Sequence, residues 1–149
     1  MVRGRSPKGA ERVALSTYVR LLRTANSARN YASRHLGDSG LTLTQFAVLE
    51  ALYHLGPMSL SDIAQKILTT GGNLTMVVGN LEKSGLEERQ RSPQDKRVLI
   101  VALTSKGKKL MRHLFPQHAR AIVRIMAALD YKEQQRLREL LRQLARAER

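Results

Sequence analysis

The 149-residue sequence predicts a mainly α-helical fold that includes one small β-hairpin. Three observations carry that prediction. Apolar residues recur at spacings of three and four over most of the chain, which is the helical period. Capping patterns and glycines divide this periodicity into six segments. Between residues 86 and 103 the period changes and β-branched residues gather, which marks two short strands.

Leu15, Val19 and Leu22, with Tyr18 beside them, place a first long helix over about 11–36, ended by Gly37 and Gly40. Thr42-Leu43-Thr44-Gln45 is a capping-box pattern, in which the threonine hydroxyl accepts from a first-turn N–H and the glutamine reaches back. The helix it opens turns Phe46, Leu49, Leu52 and Tyr53 inward and stops at Gly56-Pro57. Ser59-Leu60-Ser61-Asp62 repeats the pattern, and Ile63, Ala64, Ile67 and Leu68 give a short third helix. Thr69-Thr70-Gly71-Gly72 reads as a tight turn. A fourth helix over about 73–83 carries Leu74, Val77, Val78 and Leu81 as a core-packing stripe, with Gly85 as its terminating glycine. Strands over 86–91 and 98–103 are joined through Ser92-Pro93-Gln94-Asp95. Thr104 offers a cap for a fifth helix, which Pro116 is expected to kink before it resumes to about Leu129. A sixth helix, from about Lys132, bears Leu137, Leu140, Leu141 and Leu144 as one apolar stripe.

Charge narrows the function classes. Lys and Arg number 26 against 12 Asp and Glu, a net +14, so the natural partner is a polyanion, either nucleic acid or an anionic membrane. The excess sits at the ends: residues 40–103 carry six charges of each sign. Zero cysteines exclude a disulfide framework, a thiolate zinc site, a cysteine nucleophile and a thiol redox switch. The basic start is followed by an apolar stretch broken by Glu11, Arg12 and Arg20, and nowhere do 18 apolar residues run together. A cytoplasmic protein without a membrane partner is expected. Of the four histidines, His113 and His118 stand five apart across Pro116 with no acid beside them in sequence, so no metal or other cofactor is expected. Gly71-Gly72 lacks the following Lys-Ser/Thr of a phosphate loop and no Gly-x-Ser-x-Gly occurs, so the chain does not read as an enzyme.

Three short helices, the last two joined by a glycine turn and followed directly by a hairpin, are the parts of a winged helix-turn-helix. The reading is a single domain over 1–149. Its DNA-binding unit is 41–103 with the wing at about 86–103, flanked by dimerisation helices in 1–40 and 104–149. Leu15, Leu22, Leu137, Leu140, Leu141 and Leu144 are the candidate dimer contacts. Opposite its apolar stripe the fourth helix carries Gly72, Met76, Gly79 and Lys83, flanked by Asn73, Thr75 and Asn80. Asparagine can pair bidentately with adenine, and threonine can meet a thymine methyl or a phosphate. An ordinary solvated face has the same pattern. The hairpin tilts the balance towards double-stranded DNA, because Arg89, Arg91, Lys96 and Arg97 cluster around one turn and such a wing can lay an arginine into a narrow minor groove. Asp95, two residues before Arg97, is close enough to pair with its guanidinium and hold it extended. A sequence-neutral nucleic-acid-binding protein is the alternative.

At these residues the chain resembles the multiple-antibiotic-resistance regulator (MarR) family of bacterial transcription factors. The resemblance rests on Leu43-Thr44-Gln45-Phe46-Ala47-Val48-Leu49, on Gly71-Gly72-Asn73-Leu74-Thr75 leading to Asn80-Leu81-Glu82-Lys83-Ser84-Gly85-Leu86, and on Asp95-Lys96-Arg97 followed by Leu103-Thr104. It implies a homodimer with intertwined terminal helices, two winged units on successive major grooves and wing arginines in the flanking minor grooves. It further implies a repressor on a pseudo-palindromic operator, released by a small phenolic or other amphipathic ligand bound between the dimerisation helices and the winged unit. Carried over by motif, Thr75, Met76 and Asn80 fall on the base-reading helix, and Asp95 and Arg97 match the wing's acid and arginine. Thr70, Gly72, Asn73, Lys83, Arg91 and Lys96 complete the expected DNA contacts, and Tyr18, Phe46 and His54 the expected effector pocket. Family members commonly carry Asp where this chain has Gly79, a glycine that costs roughly 1 kcal/mol against alanine in a helix interior.

Overall fold

The computed structural model describes residues 8–67 and 71–147. Leu68, Thr69 and Thr70, expected at the end of the third helix and in the turn after it, lie outside the described residues, and with them one expected DNA contact. The described elements run α1 (Gly9–Ala32), a 3₁₀ segment (Arg34–Ser39), α2 (Leu43–Leu55), β1 (Met58–Ser59), α3 (Leu60–Ile67), α4 (Gly71–Lys83), β2 (Glu87–Arg91), β3 (Leu99–Leu103), α5 (Ser105–Met126) and α6 (Tyr131–Arg146). They fall into two compact units. One is Ser33–Arg120, and the other joins the chain up to Ala32 to the chain from Ala121. The divisions lie at 32/33 and 120/121, where the sequence reading places them at 40/41 and 103/104.

The unit of Ser33–Arg120 is built on the residues that the helical period puts inside. Phe46, Val48, Leu49 and Leu52 of α2, Ile63 of α3, Leu74, Val77, Val78 and Leu81 of α4, Val101 and Leu103 of β3, and Met111 and Leu114 of α5 form one buried cluster. Local chemistry fixes the helix ends. Thr42 Oγ1 accepts from Gln45 N at 3.2 Å while Thr42 N donates to Gln45 Oε1 at 2.8 Å, so both halves of the capping box are made. Ser59 Oγ caps α3 by accepting from Asp62 N at 3.2 Å. After α4, Gly85 takes φ 69°, and Leu86 N reaches back to Leu81 O at 3.0 Å, the glycine-terminated geometry that side chains with a Cβ resist. Gly107, at the start of α5, is held by contact instead: a Cβ there would stand 2.0 Å from Leu86 O.

Four details depart from the sequence reading. The first helix ends at Ala32, and the chain tightens into 3₁₀ geometry, with Leu36 N donating to Ser33 O at 2.9 Å. Gly71 and Gly72 belong to the first turn of α4 rather than to the turn before it. The hairpin gains a third strand, giving antiparallel order β1-β3-β2 with Met58 opposite Val101 and Glu87 opposite Leu103. A two-residue strand carries no periodic signal, so the sequence did not betray it. Finally, α5 runs through Pro116, which has no N–H to give the carbonyl four residues back, and ends at Met126 where the sequence reading carries it to about Leu129.

In the other unit, Asp130 caps α6: its Oδ1 accepts from Glu133 N at 2.8 Å, and Glu133 Oε2 accepts from Asp130 N at 2.8 Å. Gln134 Nε2 donates to Met126 O and Leu129 O, both at 3.0 Å, closing the carbonyl end of α5. No residue of α6 is buried, and Leu15, Leu22, Leu137, Leu140, Leu141 and Leu144 are all exposed in the single chain. No helix among the described residues is long and apolar enough to cross a membrane.

Candidate nucleic-acid interface

With Leu74, Val77, Val78 and Leu81 buried at 7 % exposure or less, the rotation of α4 is fixed, and its other side must face outward. Asn73, Thr75, Met76, Asn80 and Lys83 are exposed there, and Gly79 is partly exposed. The sequence grouping on this helix is therefore reproduced, with Gly72 placed by its backbone alone. Met76 is 62 % exposed on a helix whose core face is already complete.

The wing's tip is ordered by a short network. Ser92 Oγ accepts from Gln94 N at 3.3 Å and Asp95 N at 3.4 Å, while Ser92 N donates to Val98 O at 2.8 Å. This presents the Asp95 carboxylate to Arg97 three ways: Oδ1 accepts from Arg97 N at 3.0 Å and from Nε at 3.1 Å, and Oδ2 accepts from Nη2 at 3.2 Å. The guanidinium bond, then the backbone bond, hold the Asp95 carboxyl below the usual carboxylate range. Arg97 remains 91 % exposed in its side chain, so the pair directs it into solvent rather than folding it onto the protein. Arg91 is tethered as well, its Nη1 donating to Lys96 O at 2.6 Å.

Arg89 departs from the expected cluster of four cations. It forms an ion pair with Glu82 of α4, and that bond lowers the Glu82 pKa and raises that of Arg89. Arg89 thus ties β2 to α4 instead of joining the tip. One position before Glu88 on the same strand, Glu87 is 2 % exposed, and neither carboxylate oxygen has a hydrogen-bond partner among the described residues. Burial pushes its pKa up to about 7, with Arg89 opposing and Glu82 reinforcing the shift. Sequence reading passed over Glu82 and Glu87. The signal available was the period of two on β2, which turns residue 87 inward.

Of the three expected effector residues, Phe46 and His54 lie in the unit of Ser33–Arg120. Phe46 is 1 % exposed and packs against His35 and His118, with ring centroids 5.5 and 4.7 Å away. His54, exposed at the end of α2, packs on Phe115 at 4.4 Å and Tyr53 at 5.1 Å. Tyr18 lies on α1 in the other unit and is 59 % exposed. Folding also brings an acid to His118 that sequence adjacency did not show, with Glu50 Oε1 3.9 Å from Nε2. Among the described residues, no group of three or more His, Cys, Asp or Glu could hold a metal ion.

Comparison with known proteins agrees with this layout. The MarR family profile matches residues 41–99, which span α2 to the wing. The HTH-type transcriptional regulator MhqR of Bacillus subtilis is 37% identical over 131 residues, 88% of this chain and 90% of that protein. Among solved structures, BpsR of Bordetella bronchiseptica, described as having its DNA binding regulated by 6-hydroxynicotinic acid, aligns with a TM-score of 0.78 at 25% identity. That alignment covers 87% of this chain and 98% of that one. Sco3205, a MarR family transcriptional regulator from Streptomyces coelicolor solved in complex with DNA, shares the fold at a TM-score of 0.81 and 24% identity, over 97% and 94% of the two chains. The winged fold, the family match over residues 41–99 and a relative of this identity over nearly the whole length lead to one assignment: the chain belongs to the MarR family of DNA-binding transcriptional regulators, which are not enzymes.

Proposed function

We propose that the chain acts in the cytoplasm as a homodimeric repressor that binds a pseudo-palindromic operator and is released by a small amphipathic or phenolic ligand. The observation that carries this reading is the nearly uncharged outward face of α4 combined with an extended, carboxylate-held Arg97. A neutral phosphate binder would need neither, since phosphate attraction depends on charge number and not on placed amides or aimed guanidinium groups. Asn73, Thr75, Met76 and Asn80 are the base readers, Lys83, Arg91 and Lys96 serve the phosphates, and Arg97 enters the minor groove. Two copies meet through Leu15 and Leu22 of α1 and Leu137, Leu140, Leu141 and Leu144 of α6, whose exposure is otherwise unexplained. Two-fold symmetry in the protein is then matched by symmetry in the site.

The ligand class follows from likeness to BpsR, whose regulator is a hydroxylated aromatic acid. Tyr18 and His54 are open to such a molecule, whereas Phe46 is reached only if the His35 and His118 packing yields. With no cysteine in the chain, release proceeds without thiol chemistry. Selection of duplexes from a random DNA pool tests the reading, together with the solution mass of Leu141→Asp. Enriched inverted repeats and a monomeric or insoluble variant are expected. Equal binding of all duplexes at every salt concentration, or an unchanged mass for the variant, contradicts it.

A further inference from the structure

Glycine inside a helix is unfavourable because it gives up more backbone freedom than alanine on folding. A fold keeps one there for a positive φ or for want of space. Gly40, Gly56 and Gly85 have positive φ, and Gly107 has no room for a Cβ. Gly79 has neither reason, and unlike Gly9 at the start of α1 and Gly37 in the 3₁₀ segment, which also lack both, it stands in the middle of an α-helix. Its φ is not positive, and a Cβ built on it meets nothing within 4 Å. The chain's own packing would therefore accept alanine, and α4 would gain from it.

The position of the gap shows what it serves. Gly79 stands among exposed residues, with Met76 one turn before it, Lys83 one turn after, and Thr75 and Asn80 at its sides. The missing side chain leaves backbone uncovered on the outward surface, and the spacing of three makes Met76, 62 % exposed, its neighbour on that face. A phosphate gains nothing there, because its attraction is to Lys83. A small apolar group standing out from a flat polar surface can approach the uncovered backbone and meet the exposed Met76 side chain. In the major groove that group is the C5 methyl of thymine, and Asn80 alongside can pair with an adenine. We infer that Gly79 is a specificity-determining position, whose missing side chain lets a thymine methyl seat against Met76. The inference rests on the proposed DNA-reading role of α4.

The test uses duplexes that the parent chain enriches from a random pool, with each thymine of a half-site replaced in turn by uracil, which removes only the methyl. Fluorescence anisotropy at fixed salt compares the parent, Gly79→Ala and Arg97→Ala. Gly79→Ala should melt about 3 °C higher, which shows an intact fold, and yet bind the enriched duplex more weakly. At one thymine per half-site, uracil should weaken the parent about fourfold, the value of one buried methyl, and leave Gly79→Ala unchanged. If Gly79→Ala binds as tightly as the parent, or responds to uracil just as the parent does, the inference is overturned. Loss of affinity in Arg97→Ala beside full affinity in Gly79→Ala overturns this inference alone. Failure of the parent to enrich any sequence overturns the DNA-reading assignment, and this inference with it.

Discussion

At the tip of the wing, Asp95 and Arg97 pair across two residues of one turn, while at its base Glu82 and Arg89 pair across seven residues, from α4 to β2. The chemistry is the same and the surroundings are not. The tip arginine is 91 % exposed in its side chain and the base arginine 26 %. An ion pair as exposed as the one at the tip adds little to stability, so its consequence is directional: ordering Arg97 in advance lowers the entropy cost of using it. The base pair joins two elements, and beside it Glu87 is buried with no hydrogen-bond partner for its carboxylate among the described residues, a position that works against the fold. The proposed contact with the double helix falls at the tip, while the pair at the base ties β2 to α4.

The largest expected effect lies at the base. Glu87 has a folded pKa of about 7 against an ordinary value of 4.5, so between these values the folded chain keeps a proton that the unfolded chain has released. Its contribution is fully present below about 4.5, is lost as pH rises to about 7, and does not change further above that. Glu87→Gln removes the titration. The variant should gain roughly 3 kcal/mol over the parent at pH 8 and almost nothing at pH 4.5, the order expected from one shifted proton. Urea unfolding at the two pH values measures this, and an equal difference at both would mean that Glu87 does not titrate as described.

Arg89→Ala should have a smaller effect, lowering Tm by roughly 1–3 °C, because the pair it breaks is partly solvated. It should also weaken binding to specific and random duplexes together, since it loosens the wing without touching a base. Calorimetry and anisotropy on the same preparation check both halves. The smallest effect belongs to Asp95→Ala, with a loss of about two- to threefold in operator affinity and no change in Tm. Combined with Arg97→Ala, the loss should fall short of additivity, because the acid acts only through the arginine.

How much of this was legible in the sequence depends on whether the signal is local. Thr42 with Gln45, the stripe of α4, Gly85, and Asp95 with Arg97 are short-range patterns, and each recurs in the structure where the sequence placed it. Nothing local distinguishes Arg89 from Arg91, yet one turns to α4 and the other to Lys96 O. The same holds for β1, which exists only because β3 passes beside it, and for Phe46, whose burial depends on His118 some seventy residues later. Gly79 is an intermediate case. Its cost was plain from sequence, but only the open space around it shows that the cost is not repaid within the chain.

In the proposed mode of binding, α4 reads a specific duplex while Arg97, held by Asp95, reaches the minor groove. Titrating parent and Arg97→Ala against an enriched operator and a random duplex, at matched salt, tests it most directly. The substitution is expected to cost roughly 1–3 kcal/mol on the operator and much less on the random duplex, and to leave the solution mass unchanged. Arg97→Ala binding the operator as tightly as the parent, or losing equally on both duplexes, would contradict it.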